Sequence, residues 1–172
     1  MAARRGRAGP TPALAARLRL LVLDVDGVMT DGALHYGPRG EQLKVFHARD
    51  GHGVKLLQAA GIQVAVISGR KSAAVAKRCR DLGIRQVFQG IDNKSLALNT
   101  LLTRLKLTAA QLACVGDDTP DVPLLVRAAF AVAVADAHPL ARAAAHRVTS
   151  LPGGRGAVRE VCDWLLDARS RA

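Results

Sequence analysis

The sequence predicts a three-layer α/β sandwich around a mostly parallel central sheet, and three observations carry that expectation. Short apolar runs alternate with helix-length stretches along most of the chain. The runs are apolar almost throughout rather than at every second residue, as strands covered on both faces are. The strongest of them also stop at polar or acidic residues, and open α/β sheets bind their ligands beyond the carboxyl ends of the strands.

The elements follow in order. Met1 to about Pro12 reads as a disordered basic tail, and residues 13–172 as one domain, a size that suits a single core. Leu18 to Leu23 is the first strand and runs into an acidic turn. Residues 33–47 break the rhythm: a Gly37-Pro38-Arg39-Gly40 turn between two strand-like runs is an inserted β-hairpin, which needs something to pack against because two strands alone are marginal. Gly53 to Ala60 is the next helix, and Ile62 to Ile67 the second strand, ending at Ser68-Gly69-Arg70. A helix over Lys71 to Leu82, a short strand over Gln86 to Phe88 and a helix over Lys94 to Leu105 come next. Gln111 to Val115 is a strand leading into Gly116-Asp117-Asp118, followed by a helix from Pro120 to Ala129 and a strand from Phe130 to Val134. Residues 152–172 hold a glycine-rich segment, Gly153 to Ala157, and a final amphipathic helix through Trp164.

Composition excludes several classes. Apolar residues make up 49% of the chain, enough for a proper core, and no apolar stretch reaches the ~18 residues that cross a bilayer. Cys79, Cys114 and Cys162 are odd in number, widely spaced and without a C-x-x-C pair, which argues against a disulfide framework or a structural zinc site. The net charge of +11 comes mainly from arginine, several of them in the terminal tails. Aromatic residues are few and do not cluster with the cations, so no nucleic-acid partner is expected, and the charge reads as a solvated surface that attracts small polyanions. Met1 to Leu23 has five arginines and no acid before Asp24, yet Arg17 and Arg19 interrupt its only apolar stretch and no convincing cleavage site follows, so a cytoplasmic location is expected.

Acids are scarce, yet five of the fourteen fall in two short segments after apolar strands: Asp24 and Asp26, then Asp117, Asp118 and Asp121. Folding would gather these like charges at one edge of the sheet, which requires a cation or a raised pKa. Mg²⁺ fits such an all-oxygen environment. Two aspartates at i and i+2 converge where the chain turns sharply, a turn that Gly27 permits. One can attack a phosphoryl group while the other passes a proton to the leaving oxygen.

With Asp24-Val25-Asp26-Gly27-Val28, Ser68 after a strand, Lys94, and Gly116-Asp117-Asp118-Thr119-Pro120-Asp121 in that order, the chain resembles the haloacid dehalogenase (HAD) superfamily of phosphatases. From about Leu18 to Leu166 it is more narrowly similar to the 3-deoxy-D-manno-octulosonate 8-phosphate phosphatase group. That similarity rests on Asp24 to Gly32, the hairpin, Phe46-His47-Ala48-Arg49-Asp50-Gly51, Ser68-Gly69-Arg70, Ala133 to Ala137 and Pro152 to Ala157. Met29 in place of the commoner Leu, and Asp92-Asn93 before Lys94, are departures that remove no motif residue.

The resemblance implies a Rossmann-like fold without a cap domain, and a Mg²⁺-dependent phosphoric monoester hydrolase of lipopolysaccharide precursor synthesis. Asp24 would be the nucleophile and a metal ligand, and Asp26 the acid/base, holding the metal through its main-chain carbonyl. Asp117 would complete the protein ligands with Asp118 or Asp121 in support, while Ser68 and Lys94 would hold the phosphoryl oxygens. His47, Arg49, Asp50, Gly51, Lys55, Arg70 and Arg78 match positions that read the sugar acid, Arg70 foremost. The family also implies a homotetramer in which hairpins form a central barrel and a neighbour's C-terminal segment covers the site. Gly153 to Gly156 would be that mobile cover, with Arg155 offering a cation to the substrate. Two alternatives stay open: a phosphatase of a nine-carbon, sialic-acid-type ulosonate phosphate, and a non-catalytic partner of a sugar-nucleotide transferase.

Overall fold

The computed structural model describes residues 9–172. Its elements run in chain order α1 (Pro12–Arg17), β1 (Leu20–Leu23), β2 (His35–Gly37), β3 (Gly40–Leu43), α2 (Ala48–Ala59), β4 (Gln63–Ile67), α3 (Ala73–Leu82) and β5 (Gln86–Phe88). Then come α4 (Lys94–Leu105), β6 (Leu112–Gly116), α5 (Val122–Leu125), β7 (Phe130–Ala133), α6 (Pro139–Ala144), β8 (Arg147–Val148) and α7 (Ala157–Ser170). Six strands form one sheet in the order β5-β4-β1-β6-β7-β8, and every neighbouring pair in it is parallel. The predicted α/β sandwich is thus the observed one.

The connectivity sets the position of the site. From β1 the chain winds outward through β4 and β5, then returns to the other side of β1 to place β6, β7 and β8. The order reverses between β1 and β6, so a crevice opens beyond their carboxyl ends. Register brings the three relevant ends level: Leu23 lies opposite Val66 of β4 and Val115 of β6. Asp24, the segment from Ile67 to Ser68, and Gly116 to Asp117 therefore emerge at the same edge. All four residues of β1 and of β7, and all five of β6, are buried, which is why these runs carry no polar alternation.

Helix α7 closes one face. Val158, Val161, Cys162, Leu165 and Ala168 recur at helical spacing and are fully buried. Burying Val158, Val161 and Leu165 contributes roughly 1.5–3 kcal/mol each. Its first turn is capped from another element, for Asp50 Oδ1 in α2 accepts a hydrogen bond from Arg159 N at 2.8 Å.

Several expectations are corrected here. Residues 9–12, expected to belong to the disordered tail, are packed on the domain: Pro10 is buried, Thr11 caps α1 by accepting from Leu14 N, and a side chain at Gly9 would press on Trp164. Residues 1–8 lie outside the described residues. Helix α2 starts at Ala48 rather than Gly53, despite its two glycines, because those glycines permit close approach. A Cβ at Gly51 would lie 2.3 Å from Arg78 Nη2, and one at Gly53 2.9 Å from Arg159 Cδ. The helix expected over 120–129 shortens to Val122–Leu125, since Thr119–Asp121 forms a tighter 3₁₀ turn. Helices α1 and α6 and the two-residue β8 are additional to the sequence reading.

Candidate active site

Where β1 ends, the chain cannot continue straight. Val25 O accepts hydrogen bonds from Val28, Met29 and Thr30 N, folding the segment into a tight loop. Gly27 sits at φ +84°, and a Cβ there would fall 2.1 Å from Asp117 Oδ2. Only a glycine lets the loop after β1 lie against the loop after β6. Both carboxylates of Asp24 and Asp26 reach a cleft of about 460 Å³, which Ser68, Arg70, Lys94 and Asp117 also line.

The acidic loop is held by Asp121. Its Oδ2 accepts from Asp117 N at 3.0 Å and Asp118 N at 3.3 Å, and its Oδ1 accepts from Lys94 Nζ at 2.7 Å. Lys94 opens α4, whose first turn is capped by Asn93 accepting from Leu96 N at 3.0 Å. Its ammonium is buried and also stands 2.9 Å from Asp24 Oδ1, an ion-pair contact without hydrogen-bond alignment. Ser68 is buried at the end of β4, its main chain bonded to Phe88 and Ile91.

Electrostatics shows what the cluster lacks. Burial, then the charge of Asp121, pushes the Asp24 carboxyl up to about 6 in spite of Lys94. Burial, then Asp24, Asp121 and Asp118, pushes Asp117 up to about 8. Carboxylate oxygens of Asp24, Asp117 and Asp121 lie within 4.8 Å of one another. With Asp121 already accepting three N–H donors, the buried oxygens of this trio without a hydrogen bond are Asp24 Oδ1 and Asp117 Oδ1. One lysine does not neutralise three carboxylates. The donor set, all oxygen and with more negative charge than one lysine offsets, fits a hard divalent cation held by Asp24 and Asp117. Asp118 stands apart: exposed at the rim, it spends its carboxylate on Thr119 N at 2.7 Å.

The structure therefore brings together Asp24, Asp26, Ser68, Arg70, Lys94, Asp117 and Asp121, with Asp118 at the edge. It does not bring in the other residues expected to read the sugar acid. His47, Asp50, Gly51 and Arg78 surround a separate small void, and Arg78 lies over the ring of Phe46 at 5.8 Å. Asp50 is the cap of α7 described above. Arg49 lies near Arg159 and Trp164, and Lys55 is exposed on α2. Arg155 pairs with Asp31 at 3.2 Å. The glycine segment expected as a mobile cover packs on its own chain's loop after β1. Gly154 N donates to Val28 O at 2.9 Å and Gly153 N to Asp136 Oδ1 at 3.0 Å.

Sequence reasoning missed the hairpin's share of the site. Lys44, just after β3, is 7% exposed and pairs with Asp26 Oδ1 and, at 3.0 Å, with Glu41. Glu41 also accepts from Arg70 Nη2 at 3.1 Å, and the same Arg70 nitrogen donates to the Tyr36 hydroxyl at 2.8 Å. Arg70 Nε stands 3.8 Å from Asp26 Oδ2. The signal for Lys44 was its alternation with Leu43 and Val45, which turn outward as it turns in.

Comparison with known proteins agrees with this geometry. Residues 86–158 match the family model described as haloacid dehalogenase-like hydrolase. The chain is 48% identical, over 92% of its length and 85% of the other's, to 3-deoxy-D-manno-octulosonate 8-phosphate phosphatase of Escherichia coli strain K12. The phosphatase of that name from Yersinia pestis superposes with a TM-score of 0.90 at 46% identity, covering 94% of this chain and 87% of that one. The Moraxella catarrhalis phosphatase, solved in complex with magnesium ion, phosphate ion and a KDO molecule, gives a TM-score of 0.89 at 38% identity over 93% of this chain and 92% of that one. Motif order, site geometry and these likenesses converge: the chain belongs to the 3-deoxy-D-manno-octulosonate 8-phosphate phosphatase family of haloacid dehalogenase-like hydrolases.

Proposed function

We propose that this protein hydrolyses 3-deoxy-D-manno-octulosonate 8-phosphate to 3-deoxy-D-manno-octulosonate and inorganic phosphate, with Mg²⁺, as a cytoplasmic step toward lipopolysaccharide. The observation that carries the reading is the cleft at the β1/β6 switch point, where Asp24 meets Lys94, Ser68 and Asp117 in a chain 48% identical to enzymes of that name. Three free, buried cysteines suit a reducing compartment.

Each residue has a task its position permits. An Asp24 oxygen attacks phosphorus as the phosphorus–oxygen bond to the sugar breaks, and Asp26 gives a proton to the departing oxygen. Water then attacks the aspartyl phosphate and yields its proton to Asp26, which frees phosphate and restores the Asp24 carboxylate. Lys94 and Ser68 hold phosphoryl oxygens and fix the line of attack. Asp24 and Asp117 would hold the metal by their carboxylates and Asp26 by its main-chain carbonyl. Bound there, Mg²⁺ supplies charge compensation to the phosphoryl oxygens.

The test is phosphate release from eight- and nine-carbon ulosonate phosphates and common hexose phosphates, with Mg²⁺ or with EDTA. Metal-dependent preference for the eight-carbon acid is expected. A better nine-carbon substrate would replace the sugar and keep the chemistry, and no release from any of them would overturn the reading.

The raised carboxyl pKa values give a second expectation. Asp24 and Asp117 bind protons more tightly in the folded chain than in the unfolded one, so metal-free stability falls as pH rises from about 4 through about 8. Mg²⁺ competes with those protons and relieves the repulsion that remains when they leave. The rise in melting temperature on adding Mg²⁺ should therefore be larger at about pH 8.5 than at about pH 5.5. Equal rises at both would count against metal binding at these carboxylates.

Assembly belongs to the same proposal. The hairpin exposes Leu34, Tyr36, Leu43 and Val45 at 45–63%, an apolar face next to the site. A homotetramer joined through these hairpins would cover it, and light scattering should then give a mass of about four times the 18.1 kDa chain. A monomer in solution would overturn this part.

A further inference from the structure

Of the two carboxylates on the loop after β1, Lys94 touches Asp24 and not Asp26. The cations facing it come from two other places, Lys44 at the foot of the hairpin and Arg70 after β4. Lys44, Glu41, Arg70 and Asp26 alternate in charge around a closed ring. The Lys44 side chain is 1% exposed, against 19% for Asp26, 15% for Glu41 and 40% for Arg70. A lysine buried to that degree needs partners, and it has two carboxylates.

The two oxygens of Asp26 differ in consequence. Oδ1 is tied to Lys44, whereas Oδ2, itself buried and 3.8 Å from Arg70 Nε, has no hydrogen-bond partner among the described residues. A carboxyl anchored by one oxygen keeps the other in a fixed direction, which is what a group that hands over and retrieves a proton requires. The anchor is itself held: Glu41 fixes the lysine at 3.0 Å, and Arg70 fixes Glu41 at 3.1 Å.

We propose that Lys44 is a positioning residue for the reaction, anchoring the Asp26 carboxyl through Oδ1 so that the group stays in place to protonate the oxygen leaving phosphorus and then to take a proton from the incoming water. The hairpin is thereby part of the reacting centre of its own chain. This inference rests on the phosphatase reading above, with Asp26 as the group that protonates the leaving oxygen.

The test compares two substrates in the Mg²⁺-loaded full-length protein. An alkyl phosphate, such as the ulosonate 8-phosphate, needs a proton on its departing oxygen, whereas p-nitrophenyl phosphate departs as a stable phenolate. Single-turnover release of the leaving group isolates that step. Lys44→Met should slow the alkyl ester by about 10²-fold and the nitrophenyl ester by less than about 10-fold. Lys44→Arg should restore most of the loss, and KM should change little. If Lys44→Met does not fold, Lys44→Gln, which keeps an N–H donor at shorter reach, is read by the same ratio. Equal losses on both substrates, or no loss, would overturn the positioning role. Asp26→Asn run alongside separates the two claims: a split there without one at Lys44 overturns only this inference, and no split at Asp26 overturns the acid/base reading with it.

Discussion

Asp24→Asn should lower steady-state phosphate release by about 10⁴-fold or more, the order seen when a nucleophile working in a concerted set is removed. The change is nearly isosteric, so the loss is chemical. An amide oxygen is a poor nucleophile toward phosphorus, and Asp24 is the carboxylate that Lys94 meets at 2.9 Å in the cleft. The same variant should be no less stable than the parent without metal, because it removes one of three crowded carboxylates. Burial and Asp121 already press Asp24 toward its neutral form, up to about 6, so a permanently neutral side chain costs the fold little. Stability kept and turnover lost is the signature of a group placed for chemistry at the fold's expense. Melting curves with EDTA beside a phosphate assay with Mg²⁺ measure both, and near-normal hydrolysis by Asp24→Asn would falsify the aspartyl-phosphate mechanism.

Lys94 has the opposite balance. It joins Asp121 at 2.7 Å and Asp24 at 2.9 Å in a buried setting. Desolvation works against its charge, yet Asp24 and then Asp121 hold its pKa above the ordinary lysine value. A cation so placed ties the acidic loop to Asp24 without any ligand. In the proposed reaction the phosphoryl site would be preorganised by the same contacts that make the cluster tolerable, drawing on charge compensation already built into the fold.

The parts legible in the sequence were those governed by local pattern. Strands β1, β4, β6 and β7 are buried on both faces, so their apolar runs stand out, and the polar residues after β1, β4 and β6 mark one sheet edge wherever those strands pair. Asp24, Asp26 and Asp117 follow from that rule, whereas Ser68 and Lys94, the latter at the start of α4 beyond β5, were singled out by the resemblance. The unread parts depend on contacts distant in the chain. Asp50 looks like a ligand-binding acid in a polar stretch, and only folding shows it capping α7 more than a hundred residues away. Arg78 reads as a free cation until Phe46 is packed beneath it. Lys44 reads as a surface residue because hairpin strands normally turn their apolar side inward. Here Leu43 and Val45 are 54% and 52% exposed and the lysine is buried, a reversal that suits a hairpin with an apolar partner on one side and the cleft on the other.

The glycine segment before α7 offers the strongest test of how far the site extends beyond its chemical groups. Gly153→Ala adds one methyl group, with no demand for a left-handed backbone at that position. Its Cβ would nevertheless fall 1.7 Å from Gly27 O and 3.1 Å from Thr30 O, main-chain atoms of the loop that carries Asp26. Neither side yields easily, since Gly154 N is bonded to Val28 O and Gly153 N to Asp136. The loop must move, and with it the approach of Gly27 to Asp117 that seats the two acidic segments together. A displacement on the order of 1 Å at reacting groups costs about 10²-fold in rate, and overpacking of this kind costs about 1–3 kcal/mol of stability. Gly153→Ala should show both. Gly61→Ala is the control: at φ +83° with open space around it, it incurs backbone strain of about 1 kcal/mol or more far from the cleft, and turnover per folded molecule should be unchanged. If Gly153→Ala melts earlier but keeps its full kcat below the melting range, the segment supports α7 alone. If kcat falls with the melting temperature, the segment after β8 sets the shape of the nucleophile loop, and a cover contributed by a neighbouring chain would have to come from other residues.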